Sequence, residues 1–246
     1  MTRLQLFKLR LAPSATLLLL VFGMVRLLWY PGEYFAIFGV GKQFWLLILV
    51  SLVLGPALST LVFKPGKKGL AIDLKVLAAL ELAVVIAATS LLYARQPYYL
   101  VFAVDRFEAV SRLEVDTQQI AHSSIFERPG HEPRLVYAEL PEDPEIFDRL
   151  MDETIFEGKK DIDRRPEFWK PYAAGIGTLK TVAKPLTELL KGDQARAESV
   201  AGWLSRRNET AESFLYLPLR GKTADVVIIL HADIGYPAGM LAVDPW

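Results

Sequence analysis

Three long apolar runs, separated by short polar or basic connections, occupy the first 95 residues, and no comparable run follows. They cover about 11–30, 44–63 and 72–93, each near the roughly 20 residues a helix needs to cross a hydrocarbon core. The first is broken only by Pro13 near its start and Arg26 near its end. The second contains Gly55-Pro56, tolerated in a membrane helix where neighbours or hydroxyl side chains re-satisfy the freed carbonyl. Ser51, Ser59 and Thr60 are at hand for that. The third holds Glu81 near its middle and should end about Gln96-Pro97, because proline pushes the residue before it out of the α region. A signal peptide is the rival reading of the first run. No small-x-small cleavage site precedes Arg26 and Trp29-Tyr30-Pro31, so an anchoring helix is expected.

Beyond Pro97 the periodicity changes. Residues 98–107 are aromatic and β-branched, the composition of a strand. Residues 114–122 suit a short helix, 127–133 are turn chemistry, and 134–140 alternate as a strand does. Asp143 offers an N-cap with Pro144 at the first helical position. Ile146, Phe147, Leu150, Met151 and Ile155 then repeat at helical spacing and predict a core face. Short helical segments are expected at 166–172, 185–191 and 193–207, the last two separated by Gly192, with Asp193 placed to cap the last. Three strand-like runs, 214–219, 226–231 and 240–243, close the chain as an antiparallel meander. The expected fold is three transmembrane α-helices within 1–95 and a soluble α+β domain over 96–246. Its sheet should be small and mostly antiparallel, with helices on one face.

Charge divides at the same place. The formal net charge is zero, yet residues 1–95 hold 10 basic and 3 acidic side chains, and the remainder 18 and 25. An acidic soluble half gives no reason to expect a nucleic-acid partner. Arg3, Lys8 and Arg10 precede the first run, and Lys64, Lys67, Lys68 and Lys75 flank the turn between the second and third. The other flanks offer only Lys42 and Arg95. Basic short segments stay cytoplasmic, so the N-terminus is expected inside and the domain after Arg95 in the periplasm of a Gram-negative cell. Trp29, Tyr30, Phe44, Trp45 and Tyr93 then fall at the outer interface.

Two charges within the spans are the candidate site residues, for helix–helix or partner contact. Arg26 lies about one turn from the outer end and can snorkel. An ionised Glu81 in mid-span is costly and calls for a polar partner. A pairing inside the bundle and a contact with another protein's helix both stay open.

Catalytic chemistry is not visible. The chain has no cysteine, and His122, His131 and His231 lack metal-ligand spacing. No phosphate loop, dinucleotide fingerprint, zincin helix or Gly-x-Ser-x-Gly elbow occurs. Gly39-Val40-Gly41-Lys42 lacks the spacing and the following Ser or Thr of a phosphate loop and reads as a turn. No cofactor, metal or enzymatic activity is expected. Asn208-Glu209-Thr210 matches a glycosylation acceptor, a pattern that recurs by chance.

Several features together resemble the type IV pilin accessory proteins of the TfpX/TfpZ family. They are the approach Leu11-Ala12-Pro13-Ser14-Ala15, the Trp29-Tyr30-Pro31 close of the first span, and the basic 64–68 loop. Val101-Phe102-Ala103-Val104-Asp105-Arg106-Phe107-Glu108 and the tail from Leu217-Pro218-Leu219 to Asp244-Pro245-Trp246 complete the set. The resemblance covers essentially the whole chain. It implies an inner-membrane factor for type IV pilus biogenesis that works with one cognate major pilin, among membrane lipid and inner-membrane assembly components. Its effect would be to promote pilus assembly or to shift the balance of extension and retraction behind twitching motility. The alternative is a membrane-anchored periplasmic sensor or ligand-binding scaffold, which calls for a signalling domain that this sequence does not show. A membrane hydrolase would need a nucleophile–base pair, and none is found.

Overall fold

The structure, a computed structural model, describes residues 2–64, 67–125, 130–191 and 193–246. The readings of Pro65-Gly66, of 127–129 and of Gly192 lie outside these residues. The chain forms two compact units, one of Met1–Pro31 with Gly39–Arg95, the other of Gly32–Phe38 with Gln96–Trp246. The second unit therefore takes in seven residues from the connection between the first two apolar runs, which the sequence reading assigned to the membrane half.

The first unit contains three helical stretches long and apolar enough to cross a membrane, Gln5–Trp29, Val40–Val62 and Leu70–Ala94. Helix α1 (Arg3–Met24) starts well before residue 11 and runs through Pro13. Thr2 and Gln5 close a reciprocal capping box that satisfies two of its first free N–H groups. A π-helical stretch, Val25–Trp29, ends it. After the short α2 (Tyr34–Ile37), which belongs to the second unit, come α3 (Val40–Ile48), a π-helical stretch Leu49–Leu54, and α4 (Gly55–Val62). The wide turns sit just before Pro56, where the normal bonding ladder must open. Ser59 donates to the Gly55 carbonyl at 2.9 Å and Thr60 to Ala57 at 2.7 Å. The buried Ser51 hydroxyl has no hydrogen-bond partner among the described residues. Helix α5 (Leu70–Ala94) is the third stretch.

The second unit is built on β1 (Pro97–Ala103), β2 (Arg106–Ser111), β3 (Arg134–Ala138), β4 (Trp169–Pro171), β5 (Lys184–Pro185), β6 (Phe214–Arg220), β7 (Val226–His231) and β8 (Pro237–Leu241). They form one mixed sheet of order β4-β3-β1-β2-β6-β7-β8, with β5 added to β6. This is larger than the small sheet expected. The terminal meander β6-β7-β8 is antiparallel, but β1–β3 and β2–β6 run parallel. The run read as one strand over 98–107 is in fact a hairpin. Ala103 pairs with Arg106 across a two-residue turn in which Val104 adopts φ 57. A β-branched residue is poorly suited to that conformation, so composition hides the turn.

Helices α6 (Pro144–Ile155), α7 (Ile176–Val182) and α8 (Gln194–Arg207) join the sheet. They do not all cover one face. Alternate residues of β1 and β7 are buried on both sides, which is why these strands read as continuous apolar runs. One face carries two clusters. The first gathers Tyr99, Val101, Val110, Val136, Leu150 and Trp169; the second gathers Leu189, Val200, Trp203, Phe214, Val227 and Ile229. The opposite face stacks Phe102 on Tyr137 and Phe107 near Tyr172, with Leu179 of α7 buried. Asp143 caps α6 and Asp193 caps α8, as their positions predict. Asn208 ends α8 in the left-handed conformation, a common stop for which asparagine is suited.

Candidate functional site

In the first unit the polar residues of three helices meet. Arg10 and Ser14 are one turn apart on α1, and Gly55 and Ser59 one turn apart on α4. Ser14 donates to Oε1 of Glu81 on α5 at 2.6 Å. A Cβ at position 55 would lie 2.7 Å from Oε2 of the same carboxylate, so glycine leaves the room Glu81 occupies. One turn along, Arg10 Nε donates to Ser59 Oγ at 3.2 Å, and the Ser59 hydroxyl in turn donates a hydrogen bond to the Gly55 carbonyl. In apolar surroundings such bonds tie helices together, each by about 1–2 kcal/mol. Arg10 Nη2 is buried there without a hydrogen-bond partner among the described residues. Arg26 is engaged elsewhere. Its Nη1 donates to the Tyr30 carbonyl at 3.4 Å, at the negative end of its own helix. Tyr30 in turn donates to the Leu92 carbonyl at 2.8 Å.

In the second unit a charge network occupies the seam between the two halves of the sheet. Strands β2 and β6 are paired only as Phe107 with Leu219 and Glu108 with Arg220. Arg220 reaches Glu108 Oε1 at 3.4 Å, and Arg164 reaches Oε2 at 3.6 Å. Arg164 also pairs with Glu114, at 3.2 Å, and with Asp163. Glu114 accepts bonds from the Ser111 N–H and hydroxyl, both at 2.9 Å, and an ion pair from Lys222. Burial raises Glu108 to about 7, reinforced by Asp163 and opposed by Arg164 and Arg220. Burial also acts upward on Glu114, but its bonds from Lys222 and Ser111 outweigh it and bring it to about 2. Burial raises Asp163 as well.

The same turn that supplies Lys222 grips the segment 32–38. The N–H groups of Lys222 and Thr223 donate to the Ile37 carbonyl at 2.7 and 2.9 Å. The Thr223 hydroxyl donates to Ala36 O at 2.9 Å. Gly221 lies so close that a Cβ there would come within 2.8 Å of Ile37 O and 2.4 Å of Ala224 O. Tyr34 and Ile37 are buried, and burial raises the Tyr34 phenol, with Glu132 adding to the effect.

Two relatives are similar to the chain over most of its length. Over 229 residues the chain is 27% identical to the fimbrial assembly protein of serogroup I from Dichelobacter nodosus, covering 90% of this chain and 88% of that protein. Over 222 residues it is 26% identical to the serogroup E1 fimbrial assembly protein of the same organism, covering 86% and 84%. No family model matches the chain, and no solved structure does.

Of the residues singled out by sequence, Glu81 joins an interhelical cluster and Arg26 does not belong to it. Arg10, Ser14, Gly55 and Ser59 were not named as its partners, although the i, i+4 spacing of each pair and their small or polar character were legible. Glu114, Arg164 and Lys222 carried no signal, being three charges among many. No group of three or more His, Cys, Asp or Glu able to hold a metal occurs among the described residues.

Proposed function

We propose that this chain is an inner-membrane factor for type IV pilus biogenesis, of the kind represented by the TfpX/TfpZ accessory proteins. It works with one cognate major pilin to promote assembly or to shift the balance of extension and retraction. The observation that carries this reading is the similarity to two fimbrial assembly proteins over both compact units. The basic flanks of the apolar runs support a cytoplasmic N-terminus and a periplasmic C-terminal domain. In this role the protein acts by binding, without a catalytic step. A pilin subunit awaiting assembly offers an apolar helix in the membrane and a head outside it. A partner with membrane helices and an outward domain contacts both parts, and the second contact benefits from the effective concentration set by the first.

Deleting the gene should lower sheared surface pili and twitching while the pilin remains at its normal cellular level, and the intact chain should restore both. Unchanged piliation in the deletion strain would overturn the proposal.

A further inference from the structure

Helix α6 carries an apolar row that begins at the half-buried Phe147 and that the fold leaves exposed from Met151 onward. Phe147, Met151 and Ile155 recur every fourth residue, so they line one side of the helix, and the C-cap residue Phe156 adds a further exposed ring next to Ile155, about 100° round from it. Leu150 is the one residue by which α6 is buried against the sheet. Met151, Ile155 and Phe156 are 41%, 62% and 79% exposed. Single exposed apolar residues are ordinary, but a contiguous row marks a contact surface.

The charges around the row restrict what it can meet. Residues 139–157 hold eight acidic side chains and one basic, Arg149. Asp148 and Asp152, each next in sequence to a member of the row, are exposed beside it. Arg149 lies about 100° further round the helix. Glu139 is neutralised by Lys170, and Glu153 by Lys159 and Arg165. Among the described residues no ion pair reaches Asp148 or Asp152. Two copies meeting through this face would set acid against acid. An anionic lipid surface would be repelled as well. A protein surface with an apolar patch bordered by Lys or Arg satisfies both the row and its rim.

We infer that the α6 row is a docking surface for the extracytoplasmic head of the pilin subunit, through an apolar patch edged with basic side chains. This rests on the pilus-assembly reading above. The apolar contact supplies the burial, and the acidic rim steers approach and makes the encounter weaken with salt.

The test places a photo-crosslinking amino acid at Phe156 in the full-length chain, in cells making the major pilin, with Lys180 of α7 as the control position. The expected result is a pilin adduct from position 156 and none from 180. The Asp148→Lys/Asp152→Lys variant should lose the adduct and lower surface piliation while the chain keeps its abundance. Should that variant be poorly made, Met151→Ser/Ile155→Ser, with the crosslinker still at 156, reads the same loss. An adduct with a second copy or with lipid, no adduct, or a pilin adduct unaffected by these substitutions overturns the inference. A deletion strain with defective piliation beside α6 variants with normal piliation overturns the docking surface alone. A deletion strain with normal piliation overturns the assembly reading itself.

Discussion

The Ser14 hydroxyl and the Glu81 carboxylate, 67 residues apart in sequence, meet at 2.6 Å between α1 and α5. The contact exists because Gly55 on α4 offers no side chain to fill the same space. It gives a mid-span acid a partner inside its own bundle. Glu81→Leu should destabilise the protein in detergent by about 1–2 kcal/mol, whereas Glu81→Gln, which keeps an acceptor, should cost less. Ser14→Ala combined with Glu81→Leu should cost less than the two separate losses added, because both remove one interaction. Additive losses by thermal unfolding would refute the pairing.

Gly221 should be far less tolerant of a methyl group than Gly55. At 55 the obstacle is the end of a flexible side chain; at 221 it is the backbone oxygens of Ile37 and Ala224. Gly221→Ala should loosen segment 32–38 and cost about 1–3 kcal/mol. Faster hydrogen exchange at the Lys222 and Thr223 amides, and protease cleavage within 32–38, are the expected readouts.

Glu108 and Glu114 drive the pH dependence of the second unit in opposite directions. Glu108 rises from the usual 4.5 to about 7, so the folded form holds its proton more tightly than the unfolded form. Its contribution is complete below about 4.5 and is lost as pH rises through about 7. Glu114 falls to about 2, so its contribution is present above about 4.5 and lost as pH falls toward 2. Denaturant midpoints measured across this range should show Glu108→Gln flattening the upper limb and Glu114→Gln the lower one. A Glu108→Gln variant that keeps the upper limb would show that another group causes it.

Val104 holds φ 57 in the β1–β2 turn, with its side chain half exposed. Left-handed backbone costs a side chain of this kind about 1–2 kcal/mol, and asparagine bears it better. Val104→Asn should therefore stabilise the protein, by about 1 kcal/mol, seen as a raised unfolding midpoint. Destabilisation would mean that the isopropyl group contributes more than the turn loses.

The proposed orientation makes a simple topological prediction. Alkaline phosphatase fused after Val110, a point the proposed orientation places in the periplasm, should be active, and inactive when fused after Lys68. The reverse pattern would overturn the orientation drawn from Lys64–Lys75 and Arg3–Arg10 against Lys42 and Arg95.

By itself the sequence determined the three membrane-capable helices, the caps at Asp143 and Asp193, and the terminal β6-β7-β8 meander. Each of these is written in neighbouring residues, as an apolar run, a capping side chain or a period of two. Only the tertiary structure decided the rest. The β2–β6 seam joins Glu108 to Arg220, and parallel pairing between segments over a hundred residues apart leaves no local mark. Segment 32–38 reads as a connection between spans because its partners, Lys222 and Thr223, lie far along the chain. The hairpin at Val104 was concealed by a residue that turns disfavour. The apolar face of α6 has the periodicity of a core helix, yet Leu150 alone is buried. Periodicity states that a face is apolar; what covers that face is settled by packing, and in α6 this chain leaves it open.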